Sequence, residues 1–307
     1  MTADLASPST RTVLAGSLLA ALSGLAIAIG PNLARLAYDD GADVLAVMIL
    51  RGLAMVAICA AILRMRGMPL LPGRSVAVLC VLSGVAFTLM SYGYFSAVQF
   101  IPVGLAVVLY FVHPMIVSVI AHLRGITAMS LRHLVCGVII LSGLAICVGA
   151  DPVALATREG IAGLVLALIA AIAVSGMILI NAQAIPKSDP VTVNALMVAV
   201  TTLIFVSLAL VPGSGFSLPA GPGGWSASAG VGITFTIGLL SFFYAVKMIG
   251  AVRATMITSL QPVFATLFAG VMLEEFLTGW QWFGIVVVVA ALVMRDLDKA
   301  AWTRRSV

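Results

Sequence analysis

The stretch Ser91–Ala121 reads SYGYFSAVQFIPVGLAVVLYFVHPMIVSVIA. It holds two apolar segments joined at Gln99–Val103, and the second carries His113–Pro114 at its centre. A related stretch lies 148 residues later, Leu239–Ala269, LLSFFYAVKMIGAVRATMITSLQPVFATLFA. At that offset Phe95 falls on Phe243, Ala97 on Ala245, Val98 on Val246, Ile101 on Ile249, Ala106 on Ala254, Pro114 on Pro262 and Ala121 on Ala269. The polar–proline pair recurs as Gln261–Pro262. The chain reads as two copies of a unit built around this helical hairpin.

The composition sets the solvent. Of 307 residues, 62% are hydrophobic and 9% charged, against roughly 25% charged in soluble domains. So few charges cannot cover a water-exposed surface of this size, whereas lipid needs none. The net charge of +5 would suggest nucleic acid in a soluble protein. Here the basic residues sit in short loops and report orientation instead. Cys59, Cys80, Cys136 and Cys147 lie in apolar runs without a CxxC, so they read as packing residues. The apolar run after Arg11 continues to Leu36, too long for a signal-peptide core, and reads as the first span.

A bilayer core takes about 20 apolar residues per helix. Ten spans are expected: 12–36, 44–63, 75–98, 103–122, 131–150, 160–182, 190–211, 226–246, 252–273 and 280–296. The uncharged patch 212–224, PGSGFSLPAGPGG, reads as a flexible loop. Alternate loops divide the sixteen Lys and Arg residues thirteen to two, with Arg51 inside a span. That bias puts both termini in the cytoplasm. The expected layout is an N-terminal tail (1–11), a first repeat (12–150), an external connector (151–159), a second repeat (160–296) and a basic C-terminal tail (297–307). Five spans per copy means the copies enter the membrane from opposite sides. The fold expected is an all-α integral membrane protein of ten helices in two inverted five-helix repeats. Such repeats are typical of secondary transporters, whose sites lie near the midplane at the repeat interface.

The proline pair leads the candidate site. Each proline lacks an N–H and clashes with the carbonyl four residues back, that of Tyr110 or Thr258. A carbonyl freed within lipid needs protein or water, so Pro114 and Pro262 read either as hinges lining a cavity or as packing kinks. Tyr110 and His113 flank one freed carbonyl, Thr258 and Gln261 the other. His113 is a candidate substrate contact or proton carrier, or a neutral histidine bonded to a neighbouring helix. Arg51 is the one strong charge well inside a span, and such charges are functional by default. It reads as an anion-binding or gating residue, or as one that snorkels outward to Asp43. Tyr92, Tyr94 and Tyr244 on the repeated hairpins are candidates for an amphipathic pocket, with ordinary packing as the plain alternative. Asn32 and Asn181, near span ends, read as caps or contacts.

The run Arg253–Gly284, RATMITSLQPVFATLFAGVMLEEFLTGWQWFG, resembles the C-terminal half of EamA-type transporters of the drug/metabolite transporter superfamily. Leu260, Pro262, Gly270, Glu275, Leu277, Thr278, Gln281 and Gly284 match the family pattern, and Arg51 matches an arginine usual in the second span. The resemblance implies two inverted five-helix repeats, alternating access and a small-metabolite substrate, often exported. Two positions depart from it. Arg124 stands where the first copy's acidic residue would align, and His113 stands where a small or apolar residue precedes the proline.

The expected partners are a small-molecule substrate, the lipid bilayer and a coupling ion or proton, with no nucleic acid and no cofactor or metal. The resemblance implies a bacterial inner membrane. A passive channel is the alternative. An intramembrane enzyme would need a nucleophile–base pair or metal ligands, and neither HExxH nor an intramembrane carboxylate pair is present.

Overall fold

The computed structural model of the protein describes residues 10–69, 71–101, 109–125 and 157–258. Single positions are added at 106, 135, 137–139, 141–143, 146, 261, 264, 267–268, 279–280, 282–284, 286–287 and 290. Every regular element among them is helical. The helices are α1 (Thr10–Asp39), α2 (Val44–Met65), α3 (Arg74–Phe100), α4 (His113–Leu123), α5 (Arg158–Ala184), α6 (Pro190–Ala209), α7 (Pro222–Ile249) and α8 (Ala251–Thr258), with a 3₁₀ turn at Ile185–Lys187. Six of the described helices are long and apolar enough to cross a membrane. They are α1, α2, α3, α5, α6 and α7, and they correspond to the first, second, third, sixth, seventh and eighth expected spans. Of the expected spans 131–150, 252–273 and 280–296 only part is described, and their remaining residues lie outside the described ones.

The starts follow local capping chemistry. Asp43 accepts hydrogen bonds from the Leu45 and Ala46 N–H groups ahead of α2. Asp189 caps Val191, with Pro190 opening α6. Thr157 caps Gly160 at the start of α5. Each satisfies an N–H that the helix cannot. Between α7 and α8 the chain turns at Gly250, whose φ of +79° favours glycine.

The outer faces are apolar stripes. On α3, Val78, Leu82, Val85, Leu89 and Tyr92 recur at helical spacing and are exposed; on α5, Ile161, Val165, Leu168 and Ile172 do the same. A soluble helix shows the reverse pattern. These stripes suit lipid.

The broadest helix contacts all run between the two halves. α1 packs on α7 as α5 packs on α3, and α2 packs on α6. α3 touches α6 as α7 touches α2, α4 lies on α5 as α8 lies on α1, and α4 meets α8. Exchanging the halves (α1 for α5, α2 for α6, α3 for α7, α4 for α8) maps α2–α6 and α4–α8 onto themselves and every other of these pairs onto another of them. A two-fold relation between interleaved halves requires this.

Small residues let the backbones approach. A Cβ placed on Gly84 would sit 2.8 Å from the Met197 carbonyl oxygen on α6. At the 148-residue offset lies Gly232, where a Cβ would sit 2.7 Å from Ala54 on α2. Likewise Gly16 faces Ile249 and Gly163 faces Ile101, and Ile101 is the residue that aligns with Ile249.

The stretch expected to be a loose loop is tethered. Gly221 and Gly224 donate to Asp40 Oδ2 at 2.7 and 2.9 Å, and Ser217 N–H donates to Asp43 at 3.3 Å. Asp40, at the end of α1, therefore caps α7 from the opposite half. Sequence reading missed this because the loop itself carries no charge.

Candidate functional site

The site grows from the break ahead of α4. Residues 109 and 110 are helical, Phe111–Val112 form a turn, and the helix resumes at His113 with Pro114 in its first turn. Around the break the bonds tighten to three residues, Val112 N–H to Leu109 O and Met115 N–H to Val112 O. The expected proline break is present, but the expected free carbonyl is not. Tyr110 O lies 2.9 Å from His113 Nδ1. A carbonyl only accepts, so this contact places the proton on Nδ1. His113 thus covers the group that its neighbouring proline releases. Its own carbonyl accepts from Ser175 Oγ on α5 at 3.3 Å. The His113 side chain bonds within its own turn, and the link to a neighbouring helix runs through its backbone.

An aromatic ladder builds outward from this turn. The Tyr110 ring lies 4.9 Å from the His113 ring and 5.2 Å from Tyr94, and Tyr94 meets Phe95 edge-on at 5.4 Å. Tyr94, Phe95 and Tyr38 pack into one apolar cluster with Ala34, Met48 and Val231.

Arg51 closes the ladder. It is 2% exposed. Its Nη2 donates to Ser91 Oγ at 3.2 Å. Its guanidinium carbon lies 4.2 Å from the centre of the Phe235 ring, 5.4 Å from Phe87 and 6.0 Å from Phe95. The rings attract a cation through their π faces. Among the described residues Nη1 is buried without a hydrogen-bond partner, and so is the hydroxyl of Tyr38. The snorkelling alternative fails: Asp43 is spent on the α2 N-terminus and on Ser217. An N-terminal cap cannot turn its oxygens down the helix, even though Asp43 and Arg51 share a helix face.

The other expected residues separate. Tyr92 lies on the outer stripe of α3, 50% exposed, and leaves the pocket. Tyr244 accepts a hydrogen bond from Arg66 Nη1 at 2.9 Å. It therefore joins the ends of α7 and α2, away from the aromatic ladder. Thr258 is buried, and its hydroxyl donates to Thr255 O at 2.8 Å. The Thr258–Gln261 turn faces Gly24 of α1, where a Cβ would lie 3.6 Å from Thr258 Cα and 3.8 Å from Gln261 N. Pro262 lies outside the described residues, as do Glu275 and most of the family-pattern positions around it. Asn32 donates to Ala28 O within its own helix, and Asn181 to Met197 Sδ, so neither caps a helix end. Sequence reading missed Tyr38, Ser91, Phe87 and Phe235 because each belongs to a different helix from Arg51.

The fold and this site define a multi-pass helical membrane protein with a buried cation beneath aromatic rings, built from two related halves. A family model described as the EamA-like transporter family matches it twice, over residues 14–149 and 161–295. The chain belongs to the EamA-like transporter family, whose members are transporters and not enzymes. No curated protein matches. One solved structure, described only as the crystal structure of a protein, is similar with a TM-score of 0.74 at 19% identity. The match covers 92% of this chain and 97% of that one. At that identity the likeness shows the fold.

Proposed function

We propose that the protein is a secondary transporter that exports a small amphipathic metabolite, an amino acid or a related compound, by alternating access. In this reading ten spans form two inverted five-helix repeats with both termini in the cytoplasm of a bacterial cell, and the transporter works in the inner membrane. A coupling ion or proton drives it. The observation that carries the reading is the exchange of packing partners between the halves. Two interleaved, equivalent halves can rock against each other and leave the contact pattern unchanged in kind. Alternating access around a fixed central site needs that property. The small-residue contacts at Gly84 and Gly232 give the sliding surfaces little side-chain interlock.

The site supports the substrate class. Tyr94, Tyr110 and Phe95 offer flat apolar walls, with His113 and Arg51 as polar groups. Saturable, trans-stimulated flux of amino acids and related metabolites in proteoliposomes tests the function. Non-saturating flux would identify a channel. Tags at both ends and protease access in intact cells test the topology; cleavage at either end from outside would end the ten-span reading.

A further inference from the structure

Arg51 poses a problem of charge. A guanidinium has five N–H donors and no acceptor. Here it is 2% exposed, with Nη2 on a neutral serine and Nη1 on no acceptor among the described residues. It makes no ion pair with a described residue. Asp40 and Asp43, the acids nearest in sequence, are both spent on backbone N–H groups of the loop and helix ends. Removing a cation from water costs several kcal/mol even after relaxation. The three aromatic faces attract the cation but supply no hydrogen-bond acceptor for Nη1.

A second unspent donor lies in the same cluster. The Tyr38 hydroxyl is buried and unpartnered. It packs among the residues that flank Arg51, in the cluster that contains Phe95 and Tyr94, and is within electrostatic reach of the guanidinium. Two buried donors, one of them charged, share one environment and lack an acceptor. The ligand that completes them brings a negative charge and oxygen acceptors. A carboxylate fits a guanidinium edge better than a spherical anion does. The surrounding surface is aromatic, so the rest of the ligand is apolar.

We propose that Arg51 and Tyr38 bind the carboxylate of a small organic acid whose apolar body lies against Tyr94, Phe95 and Phe235. The assignment rests on the transport reading for its biological role, since the bound acid would be the cargo. Its test does not depend on flux.

The test uses the full-length protein in nanodiscs, with thermal unfolding followed against ligand concentration. The probes are phenylacetate, 4-methylpentanoate, the neutral isostere phenylacetamide, and sulfate. The two carboxylates should stabilise saturably, and the amide and sulfate should not. Arg51→Gln should weaken carboxylate binding about a hundredfold or more. Tyr38→Phe removes one hydroxyl and should weaken it about tenfold. If Arg51→Gln fails to fold, Tyr38→Phe and the charge-retaining Arg51→Lys carry the test. Arg51→Lys should bind the acids, but more weakly than the native arginine. Equal binding of amide and acid overturns the proposal. So does equal binding of sulfate, wild-type affinity in Tyr38→Phe, or no shift of the native protein by either acid up to its solubility. Counterflow of labelled phenylacetate in proteoliposomes separates the two readings. Binding without flux removes the transporter and keeps the site; flux of the amide that survives Arg51→Gln removes the site and keeps the transporter.

Discussion

α2 and α6 hold equivalent places in the two halves and pack against each other, yet their polar groups fare differently. On α6, Thr201 donates to Gly84 O on α3, and Thr202 donates to Val198 O in its own helix. Asn194 donates to Cys59 Sγ and keeps one neutral oxygen unpaired. On α2 the buried polar group is Arg51, fully charged and short of a partner. The difference teaches that the duplication preserved the scaffold and not the chemistry. Close backbone approach recurs at the 148-residue offset, at Gly84 and Gly232. Among the described residues the unmet charge appears in the first half.

The largest expected effect breaks the shared scaffold. Gly84→Val and Gly232→Val should each remove monodisperse protein from size-exclusion chromatography. A Cβ at Gly84 meets a backbone carbonyl at 2.8 Å that cannot rotate away, and overpacking costs about 1–3 kcal/mol or more. If one glycine tolerates valine and the other does not, the halves are less equivalent than their contacts indicate.

Next comes the charge itself. Arg51→Met should cut flux at least about tenfold, yet raise the stability of the empty protein by roughly 1–3 kcal/mol, since an uncompensated buried charge is removed. Thr202→Val on α6 should change both by little. Thermal unfolding and counterflow on the same preparations check this. A destabilised, transport-competent Arg51→Met protein would mean that the arginine is structural.

Third, Asp40→Ala should cost about 1–2 kcal/mol, the worth of a cap shared by two N–H groups. Hydrogen exchange should rise at the first turn of α7. Fourth, His113→Ala should leave the Tyr110 carbonyl unpaired in the membrane and cost about 1–3 kcal/mol, with impaired flux. Gln261→Ala, at the equivalent turn, should cost less. Equal losses at the two turns would erase the asymmetry between them. Smallest of all, Tyr92→Ala should stay within about 0.5 kcal/mol and leave flux intact, because the ring faces outward.

Much of the scaffold was legible in the sequence. Apolar runs report spans because lipid enforces length and backbone satisfaction. The repeat was legible because its small and apolar residues recur at one offset. Within a single helix, spacing also foretold that Tyr110, His113 and Pro114 share a turn. What spacing could not supply was the neighbouring helix. Tyr92 and Tyr94 are two residues apart and face opposite ways. The same periodicity that made Tyr92 aromatic and apolar made it suitable for lipid. Tyr244 belonged to the repeated hairpin by alignment, yet its partner, Arg66, lies in a loop 178 residues earlier. Arg51 and Asp43 share a helix face, but the cap geometry that spends Asp43 depends on the chain beyond it, at Ser217. Tyr38 carried no sequence signal beyond being an aromatic near a span end.

The interleaving of the halves has a consequence for the order of synthesis. α1 finds its main neighbour in α7 and α3 finds its own in α5, so the first half leaves the ribosome with its principal surfaces uncovered. Until α7 (Pro222–Ile249) has been made, the surface of α1 faces lipid or an attendant of the insertion machinery. The first half is therefore a waiting state and not a folding unit. Expressed as separate pieces, the halves should each be degraded when alone and should survive when made together.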